Sequence, residues 1–364
     1  REDRYVFEEV AYLLLFGRLP NGADLERMTR SLGVRRELPP GFLVDSIMQS
    51  PSNNIMNKLA RSILSLYSYS DVTENTTIED EMSIALDLIA KMPILMDGAY
   101  QAKRHKYDNA SLIMHPLRPE ENTAESILSL IRNDRSYTKA EAQLLDTLLA
   151  LHADHGGGNN STFACRVATS SGTDPFAAYT SAINSLKGPR HGGANIKVIQ
   201  MLDDIKAHVA HWENEGEVAD YLTKILRKEA NDGSGLIYGM GHAVYTISDP
   251  REVILKQRAR HLAYEKGFEE EYNMLCSIER LAPGIFAEEK GSTKPVCANV
   301  DLFSGLIYNM LGISEDLYTP LFAIARVPGW CAHRVEEVVF ANRIIRPAYK
   351  YLGVRQKYKP IEER

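Results

Sequence analysis

At 364 residues the chain is long enough to bury a large core and to divide into two domains. Its 44% hydrophobic and 25% charged residues give the profile of a globular protein in water. Its 42 basic against 48 acidic side chains, a net charge of −6, argue against nucleic acid or an anionic membrane as principal partner, while leaving room for a local basic pocket that holds a small anion.

The cysteines Cys165, Cys276, Cys297 and Cys331 lie far apart and form no CxxC pair, which points to reduced thiols and a cytoplasmic setting. No apolar run reaches the roughly 20 residues of a membrane span. The chain starts at Arg1 already inside a helical pattern, so the expectation is a longer product, with any targeting segment upstream.

Taken in order, the chain reads as helix after helix. Phe7, Val10 and Leu14 recur at helical spacing until Gly17 and Pro20 stop the run. A second helix is expected from Ala23 to Leu32, closed by Gly33, and Pro39-Pro40 marks a turn. Ile78, Met82, Ala85 and Ile89 form one helical face, which Pro93 should kink or end. Residues 104–122 look like a polar surface loop, and Thr138 with Glu141 has the form of a capping box. Leu144, Leu145, Leu148 and Leu149 then lead into His152. Beyond the central glycine-rich stretch, Val198, Leu202, Ile205 and Val209, then Val218, Leu222 and Ile225, repeat the helical period. No strand-length alternation is present, so the expected class is all-α. With no linker of low complexity, a second domain has to be inserted within the first. Gly192-Gly193 and residues 310–313 are the candidate crossing points, where glycine can absorb a hinge rotation.

Three stretches carry the chemistry: HADHGGGNNS and GPRHGGAN within 152–195, GMGHAVYTISDPRE around His242, and KPVCANVDLFSG around Asp301. Clustered glycines let backbone approach a ligand or another chain segment closely. HADH permits a metal reading through His152, Asp154 and His155, and equally a histidine that closes a helix end without chemistry. GGGNNS lacks the P-loop lysine, GMGHAV is only part of a dinucleotide fingerprint, and no GxSxG elbow occurs. Histidines in glycine-rich turns, an aspartate, and Arg251, Arg326, Arg343 and Arg346 suit a dicarboxylate or oxoacid site. Arginine holds carboxylates bidentately, neutral histidine polarises a carbonyl, and an aspartate beside them serves as base.

The order HADHGGGN, GPRHGGAN, GMGHAVY…DPR, NVDLFSG and RPAYKYLG resembles the citrate synthase family of bacterial type, across essentially the whole chain. That resemblance implies a large helical domain (1–192 and 313–364) with a smaller inserted helical domain (193–312), and a homodimer with shared active sites. It implies condensation of acetyl-CoA with oxaloacetate to citrate, in which acetyl-CoA is a substrate, no cofactor or metal is needed, and neither nucleic acid nor membrane is a partner. By position His155 would bind oxaloacetate, with Arg251 and Arg326 on its carboxylates and Arg346 reaching the partner's site. His242 would bind and protonate its ketone. His191 and Asp301 would act on acetyl-CoA as oxyanion donor and base.

Relatives carry a basic residue directly after the histidine equivalent to His242, or four beyond it. Ala243 and Thr246 stand at those places here, so Lys294, with Lys256 behind it, is the expected partner of the CoA phosphates. Two readings outside this one remain, a metal-dependent hydrolase using HADH and a non-catalytic helical dimer. Within the family, a 2-methylcitrate synthase using propionyl-CoA is the alternative. Leu302, Phe303, Ala243 and Val244 are the expected lining of the acyl pocket, and a bulky Phe303 favours acetyl-CoA.

Overall fold

The computed structural model describes residues 4–364 apart from 73, 75, 243, 292–294 and 342. The α-helices among the described residues are α1 Phe7–Phe16, α2 Gly22–Arg35, α3 Ile55–Leu66, α4 Ile78–Tyr107, α5 Thr123–Ile131, α6 Lys139–His152 and α7 Asn160–Ser170. They continue with α8 Pro175–Leu186, α9 Ala194–His208, α10 Glu215–Leu226, α11 Pro250–Lys266, α12 Glu269–Lys290, α13 Asp301–Met310 and α14 Tyr318–Phe340. A single antiparallel bridge, Met240 to Ala298, is the only β-pairing among the described residues, so the all-α expectation holds.

Helix starts follow local chemistry. Full capping boxes open α4 (Thr77 with Asp80), α5 (Asn122 with Glu125) and α6 (Thr138 with Glu141), each satisfying backbone donors that a helix leaves free. The buried Asp146 carboxylate accepts the Val6 and Phe7 N–H groups at 2.7 and 3.0 Å and so caps α1 from a distance in sequence.

Two expectations fail for tertiary reasons. Gly33 does not close α2, which runs on to Arg35. A Cβ at Gly33 would collide with the Pro119 carbonyl, so the glycine serves a close approach between segments. Pro93 does not end α4, which continues unbroken to Tyr107. Losing one backbone bond inside a helix costs about 3 kcal/mol. Burial of Leu88, Met92, Leu95 and Met96 around it, at about 1.5–3 kcal/mol each, outweighs that cost.

Helix α14 runs through the first body of the molecule, packing against α1, α3, α4, α6, α7 and α8. Its Arg334 holds Glu81 of α4 through two 2.8 Å bonds and reaches Thr169 Oγ1 of α7 at 3.1 Å. Helices α9 to α13 pack chiefly on one another and meet the other helices mainly through α6. Gly192, at the entry to this group, is wedged against the Leu186 carbonyl and Thr319, whose hydroxyl donates to the Gly192 carbonyl at 2.8 Å.

Candidate active site

The cleft is assembled from segments that each leave a helix abruptly. Helix α6 stops at His152, whose buried ring donates from Nδ1 to the Leu148 carbonyl at 2.9 Å. The turn that follows is closed by Gly156 at φ +80°, with its N–H given to Asp154 Oδ2. This turn takes His155 off the helix. Asp154 faces the other way, onto His333 Nε2 of α14 at 3.1 Å. The side chains of HADH therefore diverge into core, α14 and cleft, and no group of three His, Cys, Asp or Glu residues among the described residues is placed to hold a metal ion. The hydrolase reading has lost its donor set.

The His242 and Asp301 stretches are stitched together by backbone. Gly241 N–H donates to the Cys297 carbonyl at 2.7 Å, Asn299 N–H to the Gly239 carbonyl at 2.9 Å, and Asn299 Nδ2 to the Gly241 carbonyl at 2.9 Å. Gly239 and Gly241 sit at φ +81° and +92°, a left-handed geometry that favours glycine. Fully buried Asp249 ties the pair to a cation. Its carboxylate takes Arg251 Nε at 3.0 Å and Nη2 at 2.8 Å, and accepts the Val300 N–H at 3.2 Å.

The result is a cleft of about 660 Å³ lined by His155, His191, His242, Arg251, Asp301 and Arg326, among others. The His155 and His242 ring centroids are 5.1 Å apart. Six of the residues expected from sequence thus meet in one place.

Hydrogen bonds assign the tautomers of His242 and His191. The backbone N–H groups of Val244 and Tyr245 both donate to His242 Nδ1, at 3.0 and 3.1 Å, and these two bonds outweigh the longer 3.4 Å approach of Arg251 Nη2 to Nε2, so the ring proton sits on Nε2. Burial and then Arg251 hold this ring's pKa below the ordinary value. His191 Nε2 accepts the Ser161 N–H from the first turn of α7 at 3.3 Å, which leaves its proton on Nδ1. Ser161 Oγ lies 3.0 Å from the same nitrogen and itself takes the Trp330 indole N–H at 3.2 Å. Burial and Arg326 lower the His191 pKa. Burial, reinforced by Arg251 and Arg326, pushes His155 down to about 4. All three rings are neutral donors at neutral pH.

Asp301 opens α13, and burial raises its pKa to about 6, against the pull of Arg251 and Arg326. It is a stronger base than an ordinary aspartate, yet mostly ionised at pH 7. Arg326 on α14 is buried, and burial depresses its pKa to about 10. Its Nε donates to the His152 carbonyl at 2.6 Å, whereas Nη1 has no partner. Phe322 lies beneath that guanidinium, 4.9 Å away, and 6.3 Å from His191.

The citrate synthase C-terminal domain model matches residues 2–348. A citrate synthase of Synechocystis is 34% identical over 98% of this chain and 84% of its own length, and one of Deinococcus radiodurans is 33% identical over the whole chain and 89% of its own. This chain belongs to the citrate synthase family. A 2-methylcitrate synthase of Shewanella oneidensis is 32% identical over the whole chain and 88% of its own length. The citrate synthase of Thermoplasma acidophilum, solved as a ternary complex with carboxymethyl coenzyme A and oxaloacetate, superposes with a TM-score of 0.82 at 29% identity, over all of this chain and 89% of that one. Citrate synthases are transferases that condense acetyl-CoA with oxaloacetate, and the family assignment makes this chain one of them.

Several expected residues do not enter the cleft. Lys256 is committed to Glu279 of α12 and lies over the Phe303 ring, away from the lining. Lys294 and Ala243 fall outside the described residues. Arg346 and Arg343 are exposed on the segment after α14. Phe303 and Leu302 are fully buried, with Phe303 packed on Tyr272 at 5.6 Å, and neither is among the residues that line the cleft. Val244, Ala194, Val300 and Phe322 do line the cleft.

Sequence reasoning missed Asp249, Asn299, Ser161, Phe322 and Arg190. Asp249 was legible in the DPR triplet, since an aspartate two residues before a site arginine and at a helix start can hold both. Nothing local marks Phe322, which arrives from α14.

Proposed function

We propose that this cleft condenses acetyl-CoA with oxaloacetate and then hydrolyses the thioester, releasing citrate and CoA. The observation that carries this reading is Arg326 Nη1, a buried charged donor without an acceptor on the cleft wall. An unmet buried donor costs about 1–3 kcal/mol, more when charged. A ligand carboxylate would relieve that cost, and Arg251, held square by Asp249, would take another part of the dianion.

In this reading the oxaloacetate ketone lies against His242 Nε2–H and beside neutral His155. Asp301 removes a methyl proton from acetyl-CoA as His191 Nδ1–H meets the charge growing on the thioester oxygen. A thioester methyl is a very weak carbon acid, so base and oxyanion donor have to act together. A neutral histidine matches a weakly acidic enol better than an imidazolium would. The enol carbon attacks the ketone carbon, and His242 gives its Nε2 proton to the new alkoxide. Water then adds to the thioester carbonyl, CoA leaves as the thiol, and the proton that Asp301 took replaces the one His242 gave, so both groups return to their starting states. Orienting the two substrates is worth up to roughly 7–11 kcal/mol.

No resident cofactor or metal enters these steps. The unit is a homodimer in which Arg346 of one chain completes the cleft of the other. Each chain comprises a large domain with residues 193–312 inserted as a smaller one, in keeping with the mutual packing of α9 to α13. A cytoplasmic location accords with four free cysteines. None of the described helices is long and apolar enough to cross a membrane. Acetyl-CoA is the preferred thioester. Thiol release from acetyl-CoA that depends on oxaloacetate tests the reading, and absence of release from folded protein would sink it.

A further inference from the structure

We propose that His333, outside the cleft on α14, is a positioning residue for oxaloacetate. It holds Asp154 turned away from the cleft, and so fixes His155 and leaves Arg326 open to the ketoacid. The proposal rests on the reading of the cleft given above.

Two cavities border the turn between α6 and α7. His155, Gly158 and Asn159 line the cleft, whereas Gly157 lines a separate cavity of about 490 Å³ together with Arg166, His333 and Glu336. No hydrogen bond holds the His155 ring among the described residues, its ring neighbours being His242 at 5.1 Å and Tyr245 at 6.2 Å. Three glycines follow it and offer no side chain as an anchor. The direction of the ring therefore depends on how the backbone is tied, and the ties run through Asp154. Its Oδ2 accepts the Gly156 N–H at 3.0 Å, bridging His155, and its Oδ1 takes His333 Nε2 at 3.1 Å. Helix α14 presses on the turn here. A Cβ on Gly329 would collide with the Ala153 carbonyl and lie 2.9 Å from Asp154 Oδ1.

The charge on His333 follows from what faces it. Asp154 Oδ1 is 3.1 Å from Nε2, and Glu336 Oε2 is 3.1 Å from Nδ1. An ionised carboxylate only accepts, so both ring nitrogens donate and the ring is an imidazolium. Arg166 of α7 approaches across Gly157, where it gives a 3.3 Å bond to the Gly157 carbonyl and pairs with Glu337 of α14. The bond to Asp154, against burial and with support from Glu336, raises the His333 pKa above its ordinary value. Against its own burial, Asp154 is held below the ordinary carboxylate value by the same bond. After burial, Asp154 is the charge that acts most strongly on the Arg326 guanidinium. Released from His333, this carboxylate becomes a rival for the cation that the ketoacid needs.

The test is the dissociation constant for oxaloacetate, read by calorimetry without acetyl-CoA from about pH 7 to about pH 9. In that interval His155 and Asp301, at about 4 and about 6, have already titrated, and Arg326, at about 10, keeps its charge. A raised pKa means that the clamp is complete at the acid end and is lost as pH rises through it, so parental affinity should weaken across the interval. At pH 7 His333→Ala should bind oxaloacetate about ten-fold more weakly, as a small displacement of a binding group does, with the KM for acetyl-CoA within about two-fold of the parent. His333→Lys keeps a charged donor and should restore the affinity while removing its pH dependence. Glu336→Gln, at an exposed position, should keep the Asp154 bond and move the midpoint of the pH profile to lower pH. Equal affinity of His333→Ala and the parent overturns the proposal. So does a parental affinity that stays level across the interval, or a loss in His333→Ala that only follows its thermal midpoint, which makes His333 a scaffold residue. A parent protein that neither binds oxaloacetate nor releases thiol refutes the reading of the cleft and this proposal with it, a result distinct from the others, in which the parent binds.

Discussion

Arg326 and Arg334 lie two turns apart on α14 and are equally buried, yet they do opposite things. Arg334 spends its guanidinium on Glu81, Thr169 Oγ1 and the Thr173 carbonyl, and despite the cost of burial these partners raise its pKa. Arg326 has one backbone acceptor and an idle Nη1, and burial lowers its pKa. One helix therefore carries a closed network that holds α4 to α7 and an open one that faces a cleft. A buried charge whose partners are complete is part of the scaffold. One whose partners are incomplete is waiting for a ligand, and its own folding is poorer for it.

That contrast is sharpest at the base. Asp301→Asn should lower kcat by about 10²–10⁴-fold, the usual range for removing a positioned acid or base, while oxaloacetate still binds. The same change should raise the thermal midpoint at pH 7.5. Because the folded pKa of Asp301, about 6, exceeds the ordinary aspartate value, the parent bears the cost of a buried ionised carboxylate above pH 6. The advantage of the Asn variant should shrink as pH falls from about 6 toward the ordinary value, and kcat/KM of the parent should fall over the same interval as the base becomes protonated. A variant less stable than the parent at pH 7.5 would break the comparison.

The two arginines provide the direct test. Arg334→Leu leaves Glu81 buried without a partner and should cost about 3–5 kcal/mol in denaturant unfolding, with kcat of the folded fraction near parental. Arg326→Leu should cost little or no stability, yet lower kcat/KM for oxaloacetate by the equivalent of about 2–5 kcal/mol, the loss of a desolvated charge pair with the ligand. If both variants lose stability equally and neither loses ketoacid binding, the division between closed and open networks is wrong.

Ligand linkage is a smaller effect. Oxaloacetate at about 100 times its Kd should stabilise the parent and Asp301→Asn by about 2.7 kcal/mol, and Arg326→Leu hardly at all, as read by thermal shift. The smallest effect concerns the acyl group. Phe322→Ala should improve propionyl-CoA relative to acetyl-CoA by at most about 1–3 kcal/mol in kcat/KM, the discrimination a pocket achieves per methylene. No change in that ratio would show that Phe322, although it lines the cleft, takes no part in the choice of acyl group.

Much of this molecule was legible before its structure. Helical periodicity, the Thr138–Glu141 capping box and the Gly17 stop depend on residues within a turn or two of one another, and each stands where expected. His155, His191, His242, Arg251 and Asp301 could be named because the motifs around them are local patterns whose order resembles the citrate synthase family, and the same resemblance supplied Arg326, which sits in the middle of α14. Gly33 and Pro93 show the limit. Their local preferences were read correctly, but contacts with Pro119 and with the surrounding core decided the outcome.

What only the tertiary structure decided is the state and direction of each group. The tautomer of His191 is set by Ser161, thirty residues away, and the hold on Arg251 doubles as an anchor for Val300 through Asp249. Phe303 follows Asp301 by two residues yet turns to Tyr272, and Lys256 turns to Glu279. Sequence spacing determines which residues can share a site. Burial and distant partners determine which of them remain unsatisfied there, because desolvation and hydrogen bonding depend on everything that packs around a group and not on its neighbours in the chain.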